Sequence, residues 1–412
     1  TSSSTTETEK TDENISYDSK GAVTLTESTE VNNAEYTSET ADQNSLLING
    51  DVDVTLDTIK VTKTGNSDGG DNTSFYGTNS GILAKGGADV TIKNAVITTD
   101  ATGANGVFSY GGSATTNNSS SDGTTVTISD SIVTTTKDNS GGIMTTGGGT
   151  MIANNLTVNT AGTSSAAIRS DRGGGTVTVT GGTYNTTGKG SPVVYSTADI
   201  TVNDATMTAT ASEGIVIEGK NSVTLNNCNL TDTNNTLNGQ STTYKNIFIY
   251  QSMSGDAAQG GASFSATDCT ITTNKGDVLY VTNTSADIYL KGNTFITNDS
   301  TGNFLRIKAD SWGKSGSNGG TVTLTADGQV IKGNIVVDNI STLTMTLKNS
   351  SSYTGTINGD NTAKQIVLTL DASSKIKLTG DCYVTSFTDA DSTYSNIDFN
   401  GYKLYVNGVA IN

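Results

Sequence analysis

The chain holds only three arginines, Arg169, Arg172 and Arg306, and all of them fall on, or at the end of, one recurring strand-like segment. Lysine, with 20 copies scattered along the sequence, already serves general solubility, so this confinement asks for another reason. A guanidinium offers a planar fork to carboxylates and a flat face for stacking. The outward positions of the segment read Lys85, Tyr110, Thr146, Asp171, Tyr195, Glu218, Tyr250, Tyr280 and Arg306. A second outward column beside them reads Leu83, Phe108, Met144, Arg169, Val193, Val216, Phe248, Val278 and Phe304. Tyrosine rings on a flat face can hold a sugar ring while charged and amide groups bond its hydroxyls. The ligand-binding candidates are therefore Tyr110, Arg169, Asp171, Arg172, Tyr195, Glu218, Lys220, Tyr250, Gln251, Tyr280 and Arg306. Trp312, the only tryptophan, joins them from the polar stretch ADSWGKSGSNGG, where stacking on a ligand and packing on the chain beneath are both open. The competing reading is a solvated face on which Tyr and Val occur because they favour strands.

The same patch admits catalysis. Asp171 and Glu218 sit two repeats apart, roughly 9–10 Å by strand spacing, near the upper end of the separation used by inverting glycosidases. Arg172, Lys220 or Tyr195 could instead serve as the base of a β-eliminating lyase, given a uronate ligand and Ca²⁺. No tight acidic cluster is evident, and the loop from Ser67 to Asn72 is the nearest thing to a Ca²⁺ ligand set, so no cofactor is expected.

Holding such residues in line is the work of a repeat. Segments such as SGILAKGGADVTIKNAVITT from Ser80 and SEGIVIEGKNSVTLNNCNLTDT from Ser212 share a strand, a Gly-rich corner, an apolar-Thr-apolar strand and a closing Asn, Asp or Gly. Aligning Ile82, Val107, Ile143, Ile168, Val194, Ile215, Ile247, Leu279 and Leu305 gives repeats of 21 to 36 residues. Pairs such as Val90/Ile92, Val126/Ile128, Val177/Val179, Ile288/Leu290 and Val322/Leu324 alternate with Thr, Ser or Lys, a period of two that predicts strand. A column of Asn94, Asp130, Asn154, Asp204, Asn227 and Asp268, with Gly181 and Gly292, suits left-handed corners and bonding along a stack. The expected fold is all-β: a right-handed parallel β-helix of about 12 coils, about 55–60 Å long. Insertions at 111–124, 252–262 and 310–320 leave one corner and those at 66–78 and 234–245 the other, so they should wall the strip into a groove. A one-residue slip around Pro192 would turn Tyr195 inward.

Composition agrees: 33% apolar residues and one proline suit a thin repeated core rather than a thick globular one. The net charge of −17 argues against nucleic acid and anionic membrane, and no apolar run approaches a bilayer span. With no histidine and no closely spaced cysteine pair, a zinc site and a histidine-dependent triad are excluded. Cys228 and Cys269 occupy equivalent places, within disulfide reach. Ala95, Ser131, Gly182 and Ala205 share that slot, so stacked thiols are favoured over a bridge. Residues 1–20 read as a disordered tether, 21–378 as the β-helix and 379–412, with two Asn-Gly turn signals, as a C-terminal β cap.

These coils and their Asn/Asp column resemble the pectin-lyase-like superfamily of right-handed parallel β-helices. The stretches SSAAIRSDRGGGTVTV, GSPVVYSTADITV, ASEGIVIEGKNSV, YQSMSGDA and GYKLYVNG are similar to secreted, adhesin-like or carbohydrate-binding β-helix proteins of Gram-positive Clostridia, over roughly Gly21 to Asn412. The resemblance implies the fold and an extracellular or cell-surface setting, and carries over no catalytic residue. The leading expectation is a monomer that binds a polysaccharide or a host or plant glycan along the strip. The alternatives are a glycosidase or lyase using the same patch, a structural adhesin stalk, and ice binding by the threonine columns.

Overall fold

In runs such as Asp-Val-Thr-Ile-Lys at 89–93, Val90 and Ile92 face one way while the polar residues face the other, and neither apolar side chain is satisfied alone. Stacking such runs in parallel buries both, and the chain solves its core problem this way throughout. The computed structural model, which describes residues 18–67, 70–113 and 120–412, is a right-handed parallel β-helix. A twelve-stranded sheet runs from Gly21–Leu25 to Ile335–Val337, and a 22-stranded sheet supplies most of the remaining walls. Most of the tether expected over 1–20 lies outside the described residues.

The register matches the sequence alignment residue for residue: Ile82, Val107, Ile143, Ile168, Val194, Ile215, Ile247, Leu279 and Leu305 are successive Cα partners. Their side chains are fully buried in one continuous apolar column. Burying an aliphatic side chain of this size contributes about 1.5–3 kcal/mol, which each coil gains only when the next is in place.

The corners also stack, with one adjustment to the expected columns. The left-handed residue is Asn155 rather than Asn154, because Asn154 ends its strand opposite Thr180 and Asn155 follows in line with Gly181. The corner amides bond from coil to coil: Asn155 Nδ2 donates to Asp130 Oδ1 at 2.8 Å and Asn227 Nδ2 to Asp204 Oδ1 at 2.7 Å. A buried serine ladder, unremarked in the sequence, runs inside another corner, where Ser165 N donates to Ser191 Oγ at 2.7 Å and Ser140 N to Ser165 Oγ at 3.0 Å. Cys228, Cys269 and Cys382 are free and buried, and the Cys228 amide donates to the Cys269 sulfur at 3.4 Å.

Beyond residue 378 parallel pairing continues. Ser386–Asp389 lies on Gln365–Leu370 and Cys382–Val384 lies under Leu404–Val406. Only the final Leu404–Val406 and Val409–Ala410 pair is antiparallel among the described residues, turning at Asn407 and Gly408, both in left-handed conformation. Among the described residues no helix is long and apolar enough to cross a membrane.

Candidate functional site

The outward residues of the twelve-stranded sheet form two interleaved columns two residues apart, and the expected assignment mixed them. Tyr195 is the Cα partner of Arg169 and Val216, and Tyr280 is the partner of Phe248 and Arg306. They share a column with Leu83, Phe108 and Met144, while Lys85, Tyr110, Thr146, Glu218 and Tyr250 line the other. Val193, Val278 and Phe304, expected outside, belong to the interior core. Strand length accounts for part of this: Ile168–Ser170, Val194–Ser196 and Leu305–Ile307 have three residues each, and the outward phase is lost beyond them, whereas Val278 and Tyr280 are shifted within six-residue Asp277–Thr282, where length is not the cause. Tyr195 does not slip inward at Pro192; it packs with Tyr250 and Trp312 on the outer face.

Much of the expected open strip is covered. At one end Leu47, Leu83, Phe108 and Met144 are buried on the outer face, with Tyr110 half-buried against them. Their cover is the 66–79 insertion, which carries the short helix Asp71–Phe75. Thr146 Oγ1 donates to the Phe75 carbonyl at 2.6 Å, and Tyr76 meets Tyr110 edge-on at 5.6 Å. Gly77 makes the close approach possible: its φ is 72°, and a Cβ there would lie 2.7 Å from Leu83 Cδ1 and 2.9 Å from Phe108 Cγ. At the other end Val216, Phe248 and Tyr280 are buried beneath half-buried Tyr195, Tyr250 and Trp312. Phe248 and Tyr250 stack at 4.3 Å and 19°, and Trp312 lies 5.2 Å from each ring. Tyr280 is fully buried and donates its hydroxyl to Asp310, so it is no ligand platform.

Between these apolar ends lies a polar centre in which Arg169 and Arg172 are internal. Arg169, 8% exposed, donates to Asn105 Oδ1 at 3.0 Å and to Ser74 Oγ at 3.1 Å, and Asn105 Nδ2 donates to the Thr73 carbonyl at 3.2 Å. Arg172, also buried, sits over the Phe75 ring with its guanidinium carbon 3.8 Å from the centroid and pairs with Asp256 at 3.1 Å. It thereby joins the 66–79 insertion to the 252–262 insertion, which leaves the opposite corner. Arg306 is half-buried and its Nε donates to buried Asp277 at 2.7 Å. Gln251 is buried, its side chain donating to the Ala257 carbonyl at 3.4 Å. The insertions at 234–245 and 310–320 also meet, through Ser311 Oγ on the Gln240 carbonyl at 3.2 Å.

Glu218 is the hub of the centre. It is buried; Tyr195 donates its hydroxyl to Oε2 and Ser252 donates its hydroxyl to Oε1. Burial pushes the Glu218 carboxyl above its usual range, against the pull of those two hydroxyls. Burial pushes half-buried Asp171 up to about 7; Asp256 and Glu218 add to that rise while Arg169 opposes it. Asp171 Oδ1 accepts the Arg172 amide at 2.8 Å. The register keeps Asp171 and Glu218 two coils apart, as the sequence implied. Asp256, Asp277, Asp310, Ser252, Asn105 and Phe75 escaped sequence reasoning because they lie in insertions or on strand ends outside the alternating pattern.

Exposed Lys220 stands past the corner, in a shallow open trough of about 510 Å³ lined also by Gly174, Thr197, Asp199, Ala258 and Ser263. Among the described residues no three His, Cys, Asp or Glu side chains gather to hold a metal ion, and the 67–72 loop expected to do so lies partly outside the described residues. Compared with protein-family models, curated proteins and solved structures, the chain matches none.

Proposed function

We propose that this chain binds glycan on the outer face of its twelve-stranded sheet, as a secreted or cell-surface, adhesin-like β-helix of the pectin-lyase-like kind. The observation that carries the reading is the cluster of half-buried aromatic rings, Tyr195, Tyr250 and Trp312, beside half-buried Asp171, Arg306 and Asp310. Rings already packed on one side present area without an ordering cost, and adjoining carboxylates accept from sugar hydroxyls. The contact surface is a short cleft rather than a strip along every coil. Glu218 acts here as a brace that fixes the Tyr195 ring through its hydroxyl. A glycan array tests the reading. Wild type should bind a saccharide class, and Trp312→Ala should lose that binding at least tenfold with an unchanged melting temperature. Silence across the array would leave a structural spacer.

A second reading is favoured by Asp171, whose carboxyl, held near 7 by burial, is suited to proton transfer at neutral pH. On that reading Asp171 is the general acid of a glycosidase, with Glu218 across the cleft. Its two oxygens already accept from Tyr195 and Ser252, which weighs against Glu218 as the base. Release of reducing ends by wild type, abolished in Asp171→Asn, would establish catalysis.

A further inference from the structure

Resting on the glycan-binding reading, we infer that the cleft takes saccharides that carry no carboxylate, uncharged or amine-bearing, and rejects polyuronates. Arginine on a β-face ordinarily suggests the opposite, since its fork matches a carboxylate. Here the forks are occupied by the protein itself. Arg172 is spent on Asp256 at 3.1 Å and on the Phe75 ring, Arg306 on Asp277 at 2.7 Å, and Arg169 on Asn105 and Ser74. Both carboxylates that neutralise these cations are contributed by the chain, so an incoming uronate would have to displace them rather than meet a waiting charge.

Setting each ion pair against itself leaves Arg169, 8% exposed, beside Asp171, whose carboxyl also lies close to Glu218, with Asp310 further along the sheet against Tyr280. Arg169 cannot reach out without giving up its bonds to Asn105 and Ser74. Asp310 accepts from Tyr280, Ser311 and Thr242; burial raises its carboxyl, but the bonds from Tyr280 and Ser311 together with nearby Lys308 outweigh it and hold the group below the usual range, so it is charged at neutral pH. Lys220 and Lys308 stand at the rims, where solvent screens them. The whole chain adds a net charge of −17, which repels a polyanion at a distance. Glu218 is buried with both oxygens in use, so the acceptors offered to the hydroxyl and ammonium donors of neutral and amino sugars are the half-buried carboxyls of Asp171 and Asp310.

Wild-type protein titrated at pH 7.5 with oligosaccharides of equal length, one uncharged, one of glucosamine and one of galacturonate, gives the test by calorimetry. The uncharged or glucosamine oligomer should bind at least tenfold more tightly than the galacturonate oligomer, and raising salt should narrow the gap. Equal or tighter binding of galacturonate overturns this inference while leaving glycan binding intact. Failure of every class to bind, in this panel and on the array, overturns the glycan reading itself. Asp171→Asn adds a check within the same fold: it should weaken glucosamine binding and relieve part of the penalty on galacturonate.

Discussion

Ionising Asp171 should destabilise the fold, and the effect can be isolated with one substitution. Burial lifts its carboxyl from an ordinary 3.8 to about 7, with Asp256 and Glu218 adding to the rise and Arg169 opposing it. A shift of that size corresponds to about 4 kcal/mol of differential interaction, and partial exposure of the group reduces the expectation to about 2–4 kcal/mol. The sign follows from proton binding. Between pH 4 and 7 the unfolded chain has released the Asp171 proton while the folded chain keeps it, so stability falls as pH rises and levels off above 7. Asp171→Asn cannot ionise and removes this dependence. Urea midpoints of wild type and Asp171→Asn at pH 4 and pH 8.5 provide the assay. The variant should match wild type at pH 4 and exceed it at pH 8.5 by about 2–4 kcal/mol, because taking the difference between the two proteins cancels the other carboxyls. A gap of the same size at both pH values would show that Asp171 titrates as a solvated carboxyl, and the crowded polar centre described above would be wrong.

Removing Asp256 leaves Arg172 buried without its carboxylate, and the quarter-exposed acid places the cost at about 1–3 kcal/mol. Because contacts in a solenoid are between neighbours, Asp256→Ala should raise amide exchange about tenfold or more in 252–262 and 71–76 while leaving distant coils unchanged. Phe108→Ala, at a fully buried ring on the outer face, should cost about 3–5 kcal/mol and loosen the 71–76 helix that covers it. Tyr280→Phe should cost about 1 kcal/mol by removing the hydroxyl that Asp310 accepts, measured as a shift in denaturant midpoint. Cys228, Cys269 and Cys382 should be inert to a thiol reagent in native buffer and all react on unfolding, since they are buried and the Cys382 thiol is pushed up to about 11.

The coil, its register and its core were legible because they repeat. Ile82 through Leu305 aligned correctly across insertions of very different length, since an inward aliphatic followed two residues on by a buried Ala, Ser, Thr, Val or Ile recurs in every coil. Phase along the outer face was legible in only some strands, and length alone does not decide it, since six-residue Asp277–Thr282 holds Tyr280 in the column of Phe248 rather than that of Tyr250. Ile215–Glu218 and Lys245–Tyr250 placed Glu218 and Tyr250 correctly, whereas in three-residue Val194–Ser196 and Leu305–Ile307 the outward residue could be counted from either side. The partners of the arginines were not legible at all. Asp256 and Ser74 lie 84 and 95 residues from the side chains they meet, in insertions with no periodicity to place them.

That division explains why the unusual residues gathered where they did. A bare β-helix face is uniform, and any coil could be lengthened or lost without changing its neighbours' environment. Insertions break that uniformity, and each must be fastened to the face it crosses. Arg172 on Phe75 and Asp256, Arg169 on Asn105 and Ser74, and Lys245 on Glu213 at 3.3 Å are such fastenings, and Arg172 stands where loops from opposite corners meet. Arginine confinement in the sequence is thus first a record of loop anchoring. Recognition depends on what the anchored loops leave uncovered: Tyr195, Tyr250 and Trp312, held rigid from below by Glu218 and Phe248. Exchanging the 310–320 insertion for a short turn should therefore abolish glycan binding while the coils beneath keep their stability, an outcome that separates a site made by loops from one made by the solenoid.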